Sequence, residues 1–71
     1  MIKLAEINSK VGLNIKKYRE KKGWSQEKLA LEADLHRAYI GQIERAEKNI
    51  GLVNLQKIAE ALEINVIKLF N

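Results

Sequence analysis

The apolar residues of segment 25–45 follow two helical periods that are separated by a break. Apolar side chains recur at spacings of three and four residues over 26–33 and again over 37–45, which predicts two short α-helices joined by a tight turn. Isolated helices shorter than about 12 to 15 residues are marginal in water, so both must pack against flanking segments. The residues that define the two periods are Leu29, Ala30, Ala33, Ile40 and Ile43.

Three further apolar stretches can supply these packing partners. The same periodicity predicts an amphipathic helix over about 9–22, another over 52–62 and a very short terminal one over 66–70. The chain is therefore expected to be all-α, with five helices. The apolar stripes of the two longer helices and the residues that extend the first stripe toward the amino end are Leu4, Ile7, Val11, Ile15 and Tyr18, then Leu52, Leu55, Ile58, Ala59 and Leu62.

Glycine and serine residues mark the ends of these helices. Gly23 permits the left-handed backbone that commonly ends a helix, Ser25 is a good N-cap for the helix over 26–33, and Gly51 can begin the helix over 52–62. Trp24 stands just before a helix, where we expect its ring to pack over the junction and not to stack on a nucleobase.

Length and composition restrict the classes of protein to which the chain can belong. Its 71 residues are expected to form one domain, 1–71, with a single core. There is no cysteine, and the lone His36 has no companion ligands, so neither a disulfide nor a metal site is predicted. No apolar run is long enough to span a membrane, and residues 1–10 lack the features of a secretory signal, so a cytoplasmic location is predicted.

Catalysis is not expected. The sequence contains no glycine-rich phosphate loop and no nucleophile with a histidine base in a plausible register, and so small a domain has little room for a pocket. We therefore expect no cofactor and no small-molecule ligand.

The charge is basic overall but unevenly distributed. The formal net charge is +4 and the pI is near 9.5, which favours an acidic partner. Residues 10–22 carry six basic side chains against Glu20 alone, whereas 23–51 has four basic and five acidic residues. A basic run of this kind is usually only a solvated helix face, and that alternative stays open.

The helix over 37–45 has a free outer face. With Ile40 and Ile43 turned inward, the remaining side is polar, short-chained and long enough to enter a groove of duplex DNA. This pattern predicts a DNA-recognition helix. The outward residues are Arg37, Ala38, Gly41 and Gln42.

At these residues the sequence resembles the lambda-repressor-like, five-helix DNA-binding domain of phage repressors, over nearly the whole chain. Within that family, the run 35–40 (LHRAYI), with Glu44, Arg45 and 48–50 after it, is most similar to the controller proteins of restriction-modification systems. The positions that carry the broader resemblance are Ser25, Gln26, Glu27, Leu29, Ala30, Leu35, Ile40, Ile43, Glu44, Arg45, Leu55, Lys57, Ile58, Ala59, Ala61 and Leu62.

Two positions depart from the pattern of this family. Asp34 stands where the family usually has a glycine with positive φ, and aspartate is among the few other residues that tolerate such a backbone. Ala46 stands where the family often has another glycine, which leaves the path of the 46–51 loop open.

Four residues of the recognition helix are candidates for base contacts. Arg37 can bond guanine O6 and N7 together, Gln42 can pair with adenine, and Ala38 can touch a thymine methyl group. His36 begins the helix, where it serves either the helix end or a DNA contact.

Phosphate contacts are expected on both sides of this helix. The unpaired amides at the start of the helix over 26–33 attract anions, although capping alone would also explain Ser25. Tyr39 can pack its ring inward while its hydroxyl reaches a phosphate. The complete set of predicted phosphate contacts is Ser25, Gln26, Tyr39, Arg45, Lys48 and Asn49.

Two further expectations concern stability and assembly. The resemblance implies that Glu44 pairs with Arg19 and so fixes the recognition helix to the first helix. The terminal segment is more apolar than a small domain needs, which favours a two-fold dimer over a simple cap on the monomer core. The residues expected in that interface are Leu62, Ile64, Val66, Ile67 and Phe70.

The leading hypothesis is a sequence-specific transcription regulator that binds double-stranded DNA as a homodimer on a palindromic operator. The resemblance makes the controller protein of a restriction-modification system its most specific form. The alternative is an antitoxin or phage-type repressor module whose main partner is another protein, because the apolar tail and the nearly neutral recognition helix permit it.

Overall fold

Four α-helices and one 3₁₀ helix make up the fold in the computed structural model, which describes residues 3–71. Met1 and Ile2, the start of the predicted domain, lie outside the described residues. Within residues 3–71 there is no strand, so the all-α prediction is confirmed for them. The elements are α1 (Leu4–Lys21), α2 (Gln26–Ala33), α3 (Arg37–Glu44), α4 (Leu52–Leu62) and a 3₁₀ helix (Val66–Phe70).

The prediction of five α-helices needs a correction at the carboxyl end. The fifth element is a 3₁₀ helix, opened by the Asn65 side chain, which accepts from the amide of Ile67 at 3.0 Å. Asn14 of α1 donates from Nδ2 to the carbonyl oxygens of Leu69 and Asn71, each at 2.9 Å. These bonds give terminal carbonyls a partner outside the element, as short 3₁₀ segments require.

Three helix boundaries also differ from the prediction, and one of them is the end of α1, which lies at Lys21 and not at residue 22. Helix α1 begins at Leu4 and not at residue 9, because the Glu6 carboxylate accepts from the amide of Lys3 at 3.4 Å and so satisfies the first turn. Helix α3 ends at Glu44, one residue earlier than predicted.

The core lies where α1, α2, α3 and α4 meet, and the 3₁₀ helix closes it with Leu69, which is fully buried. Trp24 is half-buried against this core, at the junction where the sequence placed it. The buried apolar residues are Val11, Ile15, Leu29, Ala30, Ala33, Ile40, Ile43, Leu55, Ile58, Ala59, Leu62 and Leu69.

All four α-helices end in the same way, with one residue in the left-handed region. At each end the left-handed residue donates to the carbonyl three residues earlier, and the next residue donates to the carbonyl five residues earlier. This is the Schellman pattern, which satisfies the last carbonyls of a helix. The four left-handed residues are Gly23, Asp34, Ala46 and Glu63, with φ of 72°, 56°, 60° and 59°.

Gly12 allows α1 and α3 to approach closely. A Cβ atom at Gly12 would overlap the carbonyl oxygen of Ile43 and would lie 2.9 Å from that of Glu44. Only glycine therefore fits this crossing without a backbone shift. Close approach at this point holds α3 at a fixed position on the long first helix.

The helices described here are not candidates for a membrane span, since none combines the necessary length with sufficient apolar character.

Candidate nucleic-acid interface

The outer side of α3 presents an exposed polar surface. Arg37 and Ala38 are exposed, and Gln42 is half-buried beside them. His36 is the exposed N-cap residue of α3, but its side chain makes no capping hydrogen bond. All four predicted base-contact residues therefore lie at the start of α3 or along it, none of them in the core.

Gly41 is a correction to the predicted outer face. It is buried, because the Arg45 side chain and the Gln26 side chain lie over it. A Cβ atom there would stand 3.0 Å from Nη1 of Arg45 and 3.4 Å from Oε1 of Gln26. The glycine thus brings two side chains close to the backbone of α3, and the accessible part of this helix is correspondingly narrower.

Both arginines of the predicted interface have an acidic neighbour. Nη1 of Arg37 lies 3.5 Å from Oε2 of Glu27, and both side chains are exposed. Arg45 makes a two-pronged contact with Glu47, from Nε to Oε2 at 2.8 Å and from Nη2 to Oε1 at 3.2 Å. The hydrogen bond raises the pKa of Arg45 and lowers the pKa of Glu47, so both groups are charged at neutral pH.

Two predicted phosphate contacts, Ser25 and Gln26, lie at the beginning of α2, and both side chains make hydrogen bonds within the protein. The Ser25 hydroxyl accepts from the amide of Lys28 at 3.0 Å and so caps α2. Gln26 donates from Nε2 to Oε1 of Glu44 at 3.0 Å, which uses one of the two N–H donors of its side-chain amide. The backbone amides of Gln26 and Glu27 also remain for an anion, because first-turn amides have no partner inside an α-helix. The amide of Lys28 is already used by Ser25.

The other predicted phosphate contacts surround α3. The Tyr39 ring packs against the core, and its hydroxyl accepts from Nδ2 of Asn54 at 3.2 Å, which leaves the hydroxyl proton free to donate. Lys48 is exposed in the loop after α3. Asn49 is also exposed, and its Oδ1 accepts from Nδ2 of Asn8 at 2.6 Å. This last bond attaches the 46–51 loop to α1 and gives the loop a defined path.

A buried polar network fixes α3 behind this surface. Arg19 donates to Glu44 from Nε at 2.7 Å and from Nη2 at 3.0 Å, and its Nη1 donates to the carbonyl of Trp24 at 2.7 Å. The Glu44 side chain is 2% exposed. The hydrogen bond to Glu44 raises the pKa of Arg19. The structure thus brings together the two residues of the predicted ion pair, and Gln26 joins them as a third member.

Elements α2 and α3 are two short helices joined by a left-handed turn, with the second presenting its outer side, which is the arrangement of a helix-turn-helix. The model of the HTH_3 helix-turn-helix family matches residues 15–69. The chain belongs to this helix-turn-helix family.

Individual relatives and solved structures show which members of the family this chain is similar to. Control protein C.BamHI of Bacillus amyloliquefaciens is 54% identical over 44 residues, which cover 62% of this chain and only about half (54%) of that protein's length. The crystal structure of the restriction-modification controller protein C.AhdI from Aeromonas hydrophila has a TM-score of 0.87 at 43% identity and covers 89% of this chain and 96% of that one. The resemblance to controller proteins is therefore confirmed.

A third comparison includes DNA. The crystal structure of SinR, described as the master regulator for biofilm formation and solved in complex with DNA, has a TM-score of 0.82 at 34% identity. It covers 86% of this chain and 98% of that one. These three proteins are named as control or regulatory proteins and not as enzymes, in agreement with the sequence prediction.

The helix-turn-helix domain buries one residue that the sequence assigned to a dimer interface. Leu62 is 2% exposed in the core of its own chain, so it cannot lie in an interface between chains. Ile64 and Val66 are half-buried against the same core, whereas Ile67 and Phe70 are 63% and 45% exposed. The exposed apolar part of the terminal segment is thus smaller than predicted.

The sequence analysis did not predict the structural roles of several residues. Gly12 could have been found as a glycine inside a helical stripe, where it costs about 1 kcal/mol relative to alanine. The pairing of Glu27 with Arg37 and of Glu47 with Arg45 had no such signal in the sequence, because the turns of the folded chain bring these side chains together. Leu52 and Val53, at the start of α4, are 82% and 72% exposed, and periodicity had assigned Leu52 to the apolar stripe.

Proposed function

We propose that the chain is a sequence-specific DNA-binding transcription regulator that acts as a homodimer on a palindromic operator. Its most specific form is the controller protein of a restriction-modification system. The observation that supports this proposal most directly is the exposed outer side of α3, which is held rigidly from behind by the Arg19–Glu44 network.

Base reading is assigned to the exposed start and middle of α3. The planar fork of Arg37 can bond O6 and N7 of one guanine, and Gln42 can pair with N6 and N7 of adenine. Ala38 can contact a thymine methyl group, and His36 lies where the helix enters the groove. Because Arg37 is exposed and its contact with Glu27 is long, at 3.5 Å, little has to be broken before it reaches a base.

Phosphate contacts are assigned to both flanks of α3. The first-turn amides of α2, next to Ser25 and Gln26, would hold one strand through the unpaired N–H groups. Tyr39, Lys48 and Asn49 would hold the backbone on the other flank, together with Arg45 once it leaves Glu47. Such contacts fix the position of the protein on the duplex without reading sequence.

A two-fold dimer would place two copies of α3 on one face of the duplex, about 34 Å apart. Ile64, Val66, Ile67 and Phe70 are the residues proposed for this interface, with Ile67 and Phe70 contributing the exposed surface. The likeness to C.AhdI and the DNA complex of SinR support the assignment of double-stranded DNA as the partner. A target of this kind also fits the cytoplasmic location that the sequence predicts.

Selection of bound sites from random duplex DNA tests the proposal. We expect one site with two inverted half-sites and an affinity that falls by about three to five decades between 50 and 200 mM salt, if about 6 to 10 phosphates are contacted. Sedimentation of the free protein at several concentrations should reveal a dimer. Recovery of no site, or retention of a protein partner in place of DNA, would contradict the proposal and favour a protein-binding module.

Two substitutions separate base reading from phosphate binding. Arg37→Ala should lower affinity for the selected site by roughly 5- to 150-fold and leave affinity for random duplex nearly unchanged. Lys48→Ala should weaken binding to both duplexes alike. Lys57→Ala is the matched control, since Lys57 lines the cleft between α2 and α4 and carries the same charge. If Arg37→Ala weakened binding to the selected site and to random duplex by the same factor, as Lys48→Ala should, the assignment of Arg37 to base reading would be refuted.

A further inference from the structure

Arg45 binds Glu47 through two parallel hydrogen bonds, which is the geometry with which arginine binds anions. Two of the three guanidinium nitrogens, Nε and Nη2, donate to the two carboxylate oxygens at 2.8 and 3.2 Å. The side chains are 58% and 52% exposed, so the pair lies at the surface and is open to exchange. A phosphate group binds arginine through the same pair of parallel hydrogen bonds.

The backbone determines that this pair forms within the chain. Ala46 has φ of 60°, and the amide of Glu47 donates to the carbonyl of Gln42 at 2.8 Å. This turn folds Glu47 back beside the last turn of α3, where Arg45 stands. The third guanidinium nitrogen, Nη1, lies over Gly41, which offers no side chain to displace it. Arg45 is thus held between Gly41 and Glu47.

An ion pair this exposed contributes little to folding, because water and salt screen it. Its effect falls on binding instead. A DNA phosphate can use the Nε–Nη2 edge of Arg45 only if the carboxylate leaves, and the carboxylate would then stand beside the phosphates as a like charge. The hydrogen bond from Arg45 lowers the pKa of Glu47 from its ordinary 4.5, and without that bond the carboxyl group is still charged at neutral pH.

We propose that Glu47 lowers the DNA affinity of this chain, because it occupies Arg45 in the free protein and so weakens binding to DNA of any sequence. This inference rests on the proposed function, since it assumes that Arg45 faces the phosphates. A uniform penalty of this kind leaves the ranking of sequences unchanged. It lowers the affinity for every duplex by the same factor. A site with good base contacts starts from a higher affinity and therefore stays occupied at protein concentrations where random DNA does not.

The size of the effect follows from the exposure of the pair. Releasing an exposed ion pair should change affinity by about two- to fivefold for each protomer, or about 4- to 25-fold for a dimer. Removing one negative charge beside the phosphates should also steepen the salt dependence, with the logarithmic slope larger by about 0.9 for each half-site.

The test is a double-substitution cycle with Glu47→Gln, Arg45→Ala and the two combined. Binding is measured by fluorescence anisotropy on the selected duplex and on a scrambled duplex of equal length. Glu47→Gln should tighten binding to both duplexes by the same factor, and it should do so much less when Arg45 is alanine. Equal effects of Glu47→Gln with and without Arg45, or no effect with Arg45 present, would overturn the proposal.

Controls separate this mechanism from a general change of charge. Glu60→Gln, at an exposed position of α4, removes the same charge and should change affinity little. Glu27→Gln should have a smaller effect than Glu47→Gln on the scrambled duplex, because the Arg37–Glu27 contact is single and long. Thermal melts of all variants should match the parent protein, since these side chains are exposed.

The outcomes also distinguish this inference from the proposed function. If the parent protein binds DNA with steep salt dependence and Glu47→Gln changes nothing, the role of Glu47 is wrong and the function stands. If neither the parent protein nor Glu47→Gln binds either duplex at 50 mM salt, both are wrong.

Discussion

Replacing Arg19 by alanine should remove a large part of the stability of this domain. Arg19 supplies two of the three side-chain hydrogen bonds that reach the Glu44 carboxylate, and Gln26 supplies the third. The Glu44 side chain is only 2% exposed, so water cannot replace the lost donors without a rearrangement. The substitution also frees the carbonyl of Trp24, which loses its bond from Nη1.

The magnitude follows from the burial of the pair. Removing one partner of a buried ion pair costs about 3 to 5 kcal/mol, because the remaining charge is left uncompensated. A domain of 71 residues has a total stability of about 4 to 10 kcal/mol. For a domain of this size each kcal/mol shifts the Tm by about 4 to 8 °C, so the Tm of Arg19→Ala should fall by at least about 12 °C.

Urea denaturation at pH 7, followed by circular dichroism, measures this loss directly. A double variant, Arg19→Met with Glu44→Leu, removes both charges and should recover most of the stability, since apolar replacement of a buried pair is often neutral. Arg37→Ala is the matched control, because this arginine is 69% exposed and should change the unfolding free energy little. A loss below about 1 kcal/mol for Arg19→Ala would refute the reasoning, since it would mean that Glu44 finds water or another donor.

Three further predictions concern the backbone and pH. Gly12→Ala should destabilise the domain by about 2 kcal/mol in urea denaturation, because the new Cβ would press on backbone carbonyls of α3, including that of Glu44. This steric cost outweighs the better helix propensity of alanine. Ala46→Gly should raise the unfolding free energy by about 1 kcal/mol, since it relieves a left-handed alanine with φ of 60°. Glu63→Gln should lower the Tm at pH 7 but not at pH 3, because the hydrogen bond from Lys22 lowers the pKa of Glu63 below its ordinary 4.5 and its contribution is lost as pH falls through that range.

Each of these predictions has a matched comparison. Gly51→Ala adds a Cβ that meets no atom within 4 Å, so it should be nearly neutral, and equal losses at both glycines would argue against the α1–α3 contact. Ala38→Gly, inside α3, should destabilise where Ala46→Gly stabilises, and the same sign at both would exclude relief of strain. For Glu63, a difference in Tm that persists unchanged at pH 3 would rule out the ion pair as its source.

Local patterns in the sequence were sufficient for most of the architecture. The apolar period located α2, α4 and the start of α3, because each of these helices has one buried face. Gly23 was identified as a turn residue from backbone chemistry and Asp34 from its place in the family pattern, and both have positive φ. The family resemblance contributed what periodicity could not, namely the pairing of Arg19 with Glu44 and the likeness to controller proteins.

Contacts between distant residues were decided only by the tertiary structure. The 3₁₀ form of the last element depends on Asn14, which is more than 50 residues away in the chain. The burial of Leu62 and the exposure of Phe70 depend on where that element docks, and both residues are equally apolar in sequence. Periodicity describes one helix at a time and carries no information about which apolar residues a neighbouring element covers.

The same distinction applies to the candidate site. The sequence by itself placed Arg37, Ala38 and Gln42 on the outer side of α3, because a helix of known start and period has only one such side. Gly41, which the sequence placed on the same side, is buried. The structure decided which side-chain donors around α3 are free. Gln26 donates to Glu44 and Arg45 donates to Glu47, whereas Arg37 has one long contact with Glu27. Hydrogen-bond partners are chosen by distances of a few ångströms across turns, and these distances exist only in the folded chain.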